Sequence, residues 1–115
     1  MSPHLTGALM LLALPVSAQV TATCTGLGAD AGWRLELLDT QAEFFFPAAT
    51  RMDIPHTAFA EGAEWPRALS LIGDRDTAIV ILHDRACPGG THEAQVLTQR
   101  GQSPILLHGC CAVRP

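Results

Sequence analysis

Residues 33–46 read WRLELLDTQAEFFF, and their alternation decides the fold class. Trp33, Leu35 and Leu37 fall on one side of an extended chain, and Arg34 and Glu36 on the other. A period of two is the mark of a strand with one covered face. QAEFFF resumes after Asp39-Thr40, so the two runs form a hairpin. Two more hairpins are expected downstream. ALSLIG and TAIVILH flank Gly73-Asp74-Arg75-Asp76, and EAQVLT and PILLHG flank residues 99–103.

Between them, Pro47, Pro55 and Pro66 argue against a central strand. The reading there is a long loop over residues 47–66, with a short edge strand at Met52 to Ile54. The rival reading is a flat meander with a helix over Ala58 to Glu64. Helical periodicity is otherwise poor after the N-terminal segment. The expected fold is all-β, a small antiparallel barrel or sandwich built from hairpins and stapled by two disulfides.

The N-terminus points to export. Leu5 to Val16 is apolar, free of charged residues and too short to span a bilayer as a helix. Val16-Ser17-Ala18 has the small residues that signal peptidase requires. Residues 1–18 are therefore expected to be a signal peptide cleaved after Ala18, and residues 19–115 a single periplasmic or secreted β domain. Ala22-Thr23 before Cys24 does not make a lipobox, so no stable membrane anchor is expected after cleavage.

The chain of 115 residues carries a net charge of −4, and all seven basic residues are arginines scattered singly. Without a basic stripe, nucleic acid and anionic lipid surfaces are poor partners. A domain of this size has a marginal core, and exported domains of such size lean on disulfides.

Four cysteines follow the leader: Cys24, Cys87, Cys110 and Cys111. Neighbouring side chains in a strand point to opposite faces, so Cys110 and Cys111 suit two separate bridges better than one ring between themselves. Cys87 follows the strand TAIVILH and Cys110 ends PILLHGC. In an up-down-up arrangement these lie at one end of the sheet, two strand spacings or about 9.6 Å apart. The loop CPGGTH can carry Cys87 across that gap, with Gly89-Gly90 supplying the freedom. Cys24 in the first strand and Cys111 in the last become adjacent when a barrel closes. The expected pairs are Cys87–Cys110 and Cys24–Cys111.

The competing reading is a soft-metal (copper or zinc) site built from His92, His108, Cys87 and Cys110, with Cys111 close by. No C-x-x-C spacing supports it, and an oxidising compartment removes free thiolates. Met52, His56 and Trp65 are a second soft-metal set, in the loop. No cofactor is expected.

Nor does the sequence point to catalysis. Ser70 and Ser103 lie in no G-x-S-x-G elbow. The pairs Glu61/Glu64 and Asp74/Asp76 occur in turn-like sequence, and His83 and Asp84 point apart as strand neighbours. Gly26-Leu27-Gly28 lacks the third glycine of a phosphate loop. The expectation is a non-catalytic protein with a binding or structural role toward an envelope protein or a small ligand.

GADAGWRLEL, with Gly28, Asp30, Trp33, Leu35 and Leu37, resembles the Gly-[Thr/Asn]-Glu-Pro-Phe-Trp signature of a proteobacterial family of small, uncharacterised periplasmic proteins and lipoproteins. CPGGTHEAQV and Gly109-Cys110 are similar to that family's later cysteine loop and terminal Gly-Cys. Ala31 and Gly32 stand where the signature has Pro and Phe. The resemblance implies a design like the small envelope β-barrels of the lysozyme-inhibitor and META kind. The chain has no tyrosine, so it lacks the Ser-Gly-x-x-Tyr type of loop used for lysozyme inhibition. Asp30 and Trp33 mark a candidate ligand or partner corner. The simplest reading of Trp33 is a core anchor, with its N–H bonded to a loop carbonyl.

Overall fold

The computed structural model describes residues 20–99 and 103–114. The expected leader, its cleavage point and the middle of the last hairpin turn lie outside those residues. The strands are β1 Val20–Gly26, β2 Arg34–Asp39, β3 Gln41–Phe45, β4 Ala49–Phe59, β5 Arg67–Gly73, β6 Asp76–His83, β7 His92–Gln99 and β8 Pro104–Arg114. Each pairs antiparallel with the next, and β8 pairs back onto β1, giving a closed eight-stranded barrel. Closure leaves no unpaired edge to the sheet.

Alternation along each strand fills the barrel. Leu35, Leu37, Phe44, Met52, Leu69 and Leu82 are among the buried side chains of one continuous core. Each fully buried side chain of this kind contributes about 1.5–3 kcal/mol relative to exposure. Phe44 ties the aromatic part together, edge-on to Trp33 at 6.2 Å and stacked on Phe46 at 5.8 Å.

The hairpin turns follow the sequence reading. Asp39 and Arg75 take left-handed backbone angles, φ 62° and 64°, at the tight β2–β3 and β5–β6 turns. Aspartate tolerates that region better than most residues.

The long loop expected over residues 47–66 is a correction. Ala49 to Phe59 form an eleven-residue strand, neither a short edge segment nor a helix. Its first half pairs with β3 through Asp53, and it pairs with β5 at Asp53 and again from His56 onward. The β4–β5 register shifts between Asp53 and His56, and Pro55 sits in that irregularity. A proline there has no ladder bond to lose, so it does not break the strand. Pro47 and Pro66 stand in the flanking connections.

The outer surface divides into two walls. On β1 to β3, outward positions carry threonines and charges. Thr21 donates to Asp39, Thr23 to Glu36, and Arg114 to Thr23, each at 3.0 Å. On β5 to β8 the outward positions interleave Ile72, Ile79, Ile81, Leu97 and Leu106 with Ser70, Thr77, Gln95 and Gln99, and charge enters with Glu93, paired to Arg85.

Candidate functional site

Both expected disulfides are present. Cys24 and Cys111 are directly paired across the β1–β8 seam, Cα–Cα 3.9 Å, and both are fully buried in the interior. Cys110 points to the other face and joins Cys87, Cα–Cα 5.9 Å. The 84–91 connection brings Cys87 to it. Cys87 and Gly90 form a small bridge, and Gly89 adopts φ 86°. Gly90 is held against the bridge so closely that an added Cβ would lie 2.6 Å from Cys110 Sγ and 2.5 Å from the Cys111 carbonyl oxygen. Thr91 fixes the same loop, its N–H donating to that carbonyl at 2.8 Å.

Asp30 and Trp33 do come together, but as a closed corner. A short 3-10 turn, Gly28–Asp30, folds over the end of β1. The Asp30 carboxylate accepts the His108 N–H at 3.0 Å, and the Leu27 N–H donates to the His108 carbonyl at 3.1 Å. Trp33 is 3% exposed. Its indole lies over the paired Gly26 and Gly109, where a Cβ at Gly109 would come within 2.5 Å of the ring and one at Gly26 within 2.7 Å of Nε1. A Cβ would also meet backbone, the Asp30 carbonyl at Gly26 and the Thr25 carbonyl at Gly109, so neither position has room for a larger residue. The indole N–H has no hydrogen-bond partner among the described residues, which corrects the expected bond to a loop carbonyl. Asp30 clasps the loop and Trp33 anchors the core.

The metal-ligand set is not assembled. Cys87 and Cys110 are consumed in a disulfide. His92 pairs with Cys111 and His108 with Gln95, an odd number of residues apart along β8, so the two imidazoles leave from opposite faces. No group of three or more His, Cys, Asp or Glu is placed to hold a metal among the described residues. The second set is equally dispersed. Met52 is buried inside, His56 is exposed on the outer face, and Trp65 lies at the barrel end.

That barrel end holds an arrangement the sequence did not announce. Phe59, Arg67, Trp65 and His92 stack in layers: Arg67 Cζ lies 4.4 Å from the Phe59 ring and 4.3 Å from the Trp65 ring, and the Trp65 and His92 rings are 4.3 Å apart. Arg67 is nearly buried, and two ring faces and Glu64 offset the desolvation of its charge. Its Nε donates to the Glu64 carbonyl at 3.0 Å. His92 Nδ1 meets Thr91 Oγ1 at 2.8 Å, and its Nε2 faces Asp84 at 3.5 Å. His83 meets Gln95 instead, so His83 and Asp84 do diverge. The stack lies at the barrel end where β4 turns into β5.

The remaining feature is the outer wall of β5 to β8. Ile79, Leu97 and Leu106 face each other across three adjacent strands and are 42%, 43% and 61% exposed. Ile72, 52% exposed, lies diagonally beside them. A groove of about 360 Å³ runs along the wall, with Ile72, Ile79 and Leu97 in its lining and Ser70, Thr77 and Gln99 as polar members. Its signal was present in TAIVILH, which is apolar at both parities: Ala78, Val80 and Leu82 face in, and Ile79 and Ile81 face out. An antiparallel strand with one wet face should alternate. Comparison with family models, with curated proteins and with solved structures finds no match to this chain.

Proposed function

We propose that this protein is an exported, non-catalytic binding domain of the cell envelope, periplasmic or secreted, whose working surface is the outer wall of β5 to β8. The observation that carries the reading is the contiguous set Ile72, Ile79, Leu97 and Leu106, exposed large apolar side chains grouped on one wall, whereas Leu38 and Phe59 are exposed singly elsewhere. Exposed apolar side chains scattered singly are ordinary, whereas a contiguous group beside a groove marks a contact surface. Export agrees with the apolar, uncharged segment before Gln19 and with four cysteines all held in disulfides. The Asp30–Trp33 corner, occupied by its own packing, serves the fold in this reading.

In-cell photo-crosslinking tests it. A photoreactive side chain replacing Leu106 should give adducts in the periplasmic fraction, and one replacing Glu43 on the polar wall should not. Retention of the protein in the cytoplasm, or equal adduct yields from both positions, would count against the reading.

A further inference from the structure

Two bridges meet at neighbouring residues of β8, and their surroundings differ. Cys24–Cys111 lies inside the seam, with both residues 0% exposed. A reagent reaches it only when the barrel itself opens. Cys87–Cys110 lies outside, and Cys87 is partly exposed among the exposed Ala86, Pro88 and Gly89.

The loop that carries Cys87 is fastened at its two ends. At one end the Arg85 N–H donates to the His83 carbonyl at 2.8 Å, and the Arg85 guanidinium pairs with Glu93 at 2.9 Å. At the other, the Thr91 N–H donates to the Cys111 carbonyl at 2.8 Å, and the Val113 N–H to Thr91 Oγ1 at 3.1 Å. Between these points Cys87 and Gly90 exchange backbone hydrogen bonds with each other. Among the described residues, the disulfide is then the one bond from residues 86–90 to the barrel. Opening it breaks no rung of the sheet, and the fastened ends keep Cys87 within reach of Cys110 for reclosure.

The two sulfurs of this bridge are not equivalent. Gly90 packs over Cys110 Sγ, where an added Cβ would lie 2.6 Å away, and Cys110 is only 4% exposed. A thiolate arriving from solvent therefore meets Cys87 Sγ, and Cys110 is the leaving group. Glu93 stands opposite Cys110 in the ladder, and its pairing with Arg85 offsets its charge beside the departing thiolate.

We infer that Cys87–Cys110 is a reversible redox bridge, opened and closed by exchange with a dithiol while Cys24–Cys111 and the barrel stay intact. A thiolate of the dithiol attacks Cys87 Sγ to form a mixed disulfide, and Cys110 leaves as a thiolate that takes up a proton. The second thiol of the dithiol, giving up its proton, displaces Cys87, which is protonated in turn. Two electrons pass to the cysteine pair, and the dithiol departs as a disulfide. The redox state of the compartment is thereby converted into freedom or restraint of residues 86–90, close in the chain to His92 and its stack on Trp65.

Treatment of the oxidised mature protein with reduced dithiothreitol at neutral pH, without denaturant, tests this by alkylation and peptide mapping. Cys87 and Cys110 should be modified about a hundredfold faster than Cys24 and Cys111. The inner bridge waits for a global opening that native domains show in about one molecule in 10³ or fewer. At the two-thiol stage the circular dichroism spectrum and a cooperative urea transition should persist, and oxidised dithiothreitol should restore the bridge. Glutathione, with its single thiol, should be caught by rapid quenching on Cys87 with Cys110 free. Equal rates at all four cysteines, loss of the β spectrum with the first two thiols, or an outer bridge that opens only in denaturant would each overturn the redox bridge. Glutathione caught on Cys110 would overturn Cys87 as the attacked sulfur.

Discussion

Trp33 shows how one side chain organises its neighbourhood. It is the largest group of the β2 face, and two glycines on β1 and β8 make room for it. Its burial could be read from the alternation in WRLEL. The glycines that seat it could not, because Gly26 and Gly109 are 83 positions apart and only the barrel seam pairs them. Trp65 belongs to irregular sequence before a proline, yet it is half-buried between Arg67 and His92. The two tryptophans should therefore differ in degree. Trp33→Ala is expected to cost about 3–5 kcal/mol. Trp65→Ala should cost less, because it opens the mouth of the barrel, where water can fill the gap. Urea midpoints followed by circular dichroism compare them directly. Equal midpoints would mean that the layered stack carries as much of the fold as the Trp33 anchor.

At the scale of the element, β4 was the strand that local rules could not give. Three prolines in twenty residues read as loop, and the distinction between Pro55 and its neighbours is geometric. Pro55 lies where β4 passes from β3 to β5 and the register shifts, so its missing N–H is not required by either ladder. Nothing in residues 47–66 taken alone announces that shift. The two-residue turn at Asp74-Arg75, by contrast, is written locally in the polar break between two apolar runs. Pro55→Ala should accordingly stay within about 0.5 kcal/mol of the parent, as exposed substitutions do. Ser70→Pro should cost about 3 kcal/mol or more, because Ser70 pairs with His56 on one side and Ile79 on the other. A Pro55→Ala variant as unstable as the Ser70 one would show that the proline itself shapes the bend of β4.

For the whole molecule, closure and stapling act on the same few residues. Cys110 and Cys111 are neighbours, so two bridges grip the end of β8 from its two faces, one from inside the barrel and one from the 84–91 loop. This much was legible in sequence, because adjacent strand residues point apart and the first and last strands of a barrel must meet. The apolar outer wall was legible only in part: TAIVILH is apolar at both parities, but Ile72, Leu97 and Leu106 join Ile79 only through the strand pairing. The chain segments closed by the bridges span 87 and 23 residues. Chain entropy then assigns about 5 kcal/mol to Cys24–Cys111 and about 3 kcal/mol to Cys87–Cys110. Their sum is comparable with the whole stability of an ordinary domain, about 5–15 kcal/mol. Replacing Cys87 and Cys110 together by serine should lower the urea midpoint while leaving a cooperative transition. Replacing Cys24 and Cys111 by alanine should lower it further, since it also removes interior sulfur atoms from a fully packed seam. Full reduction should abolish the cooperative transition. A reduced protein that unfolds at the same urea concentration as the oxidised one would show that the apolar core alone holds the barrel shut.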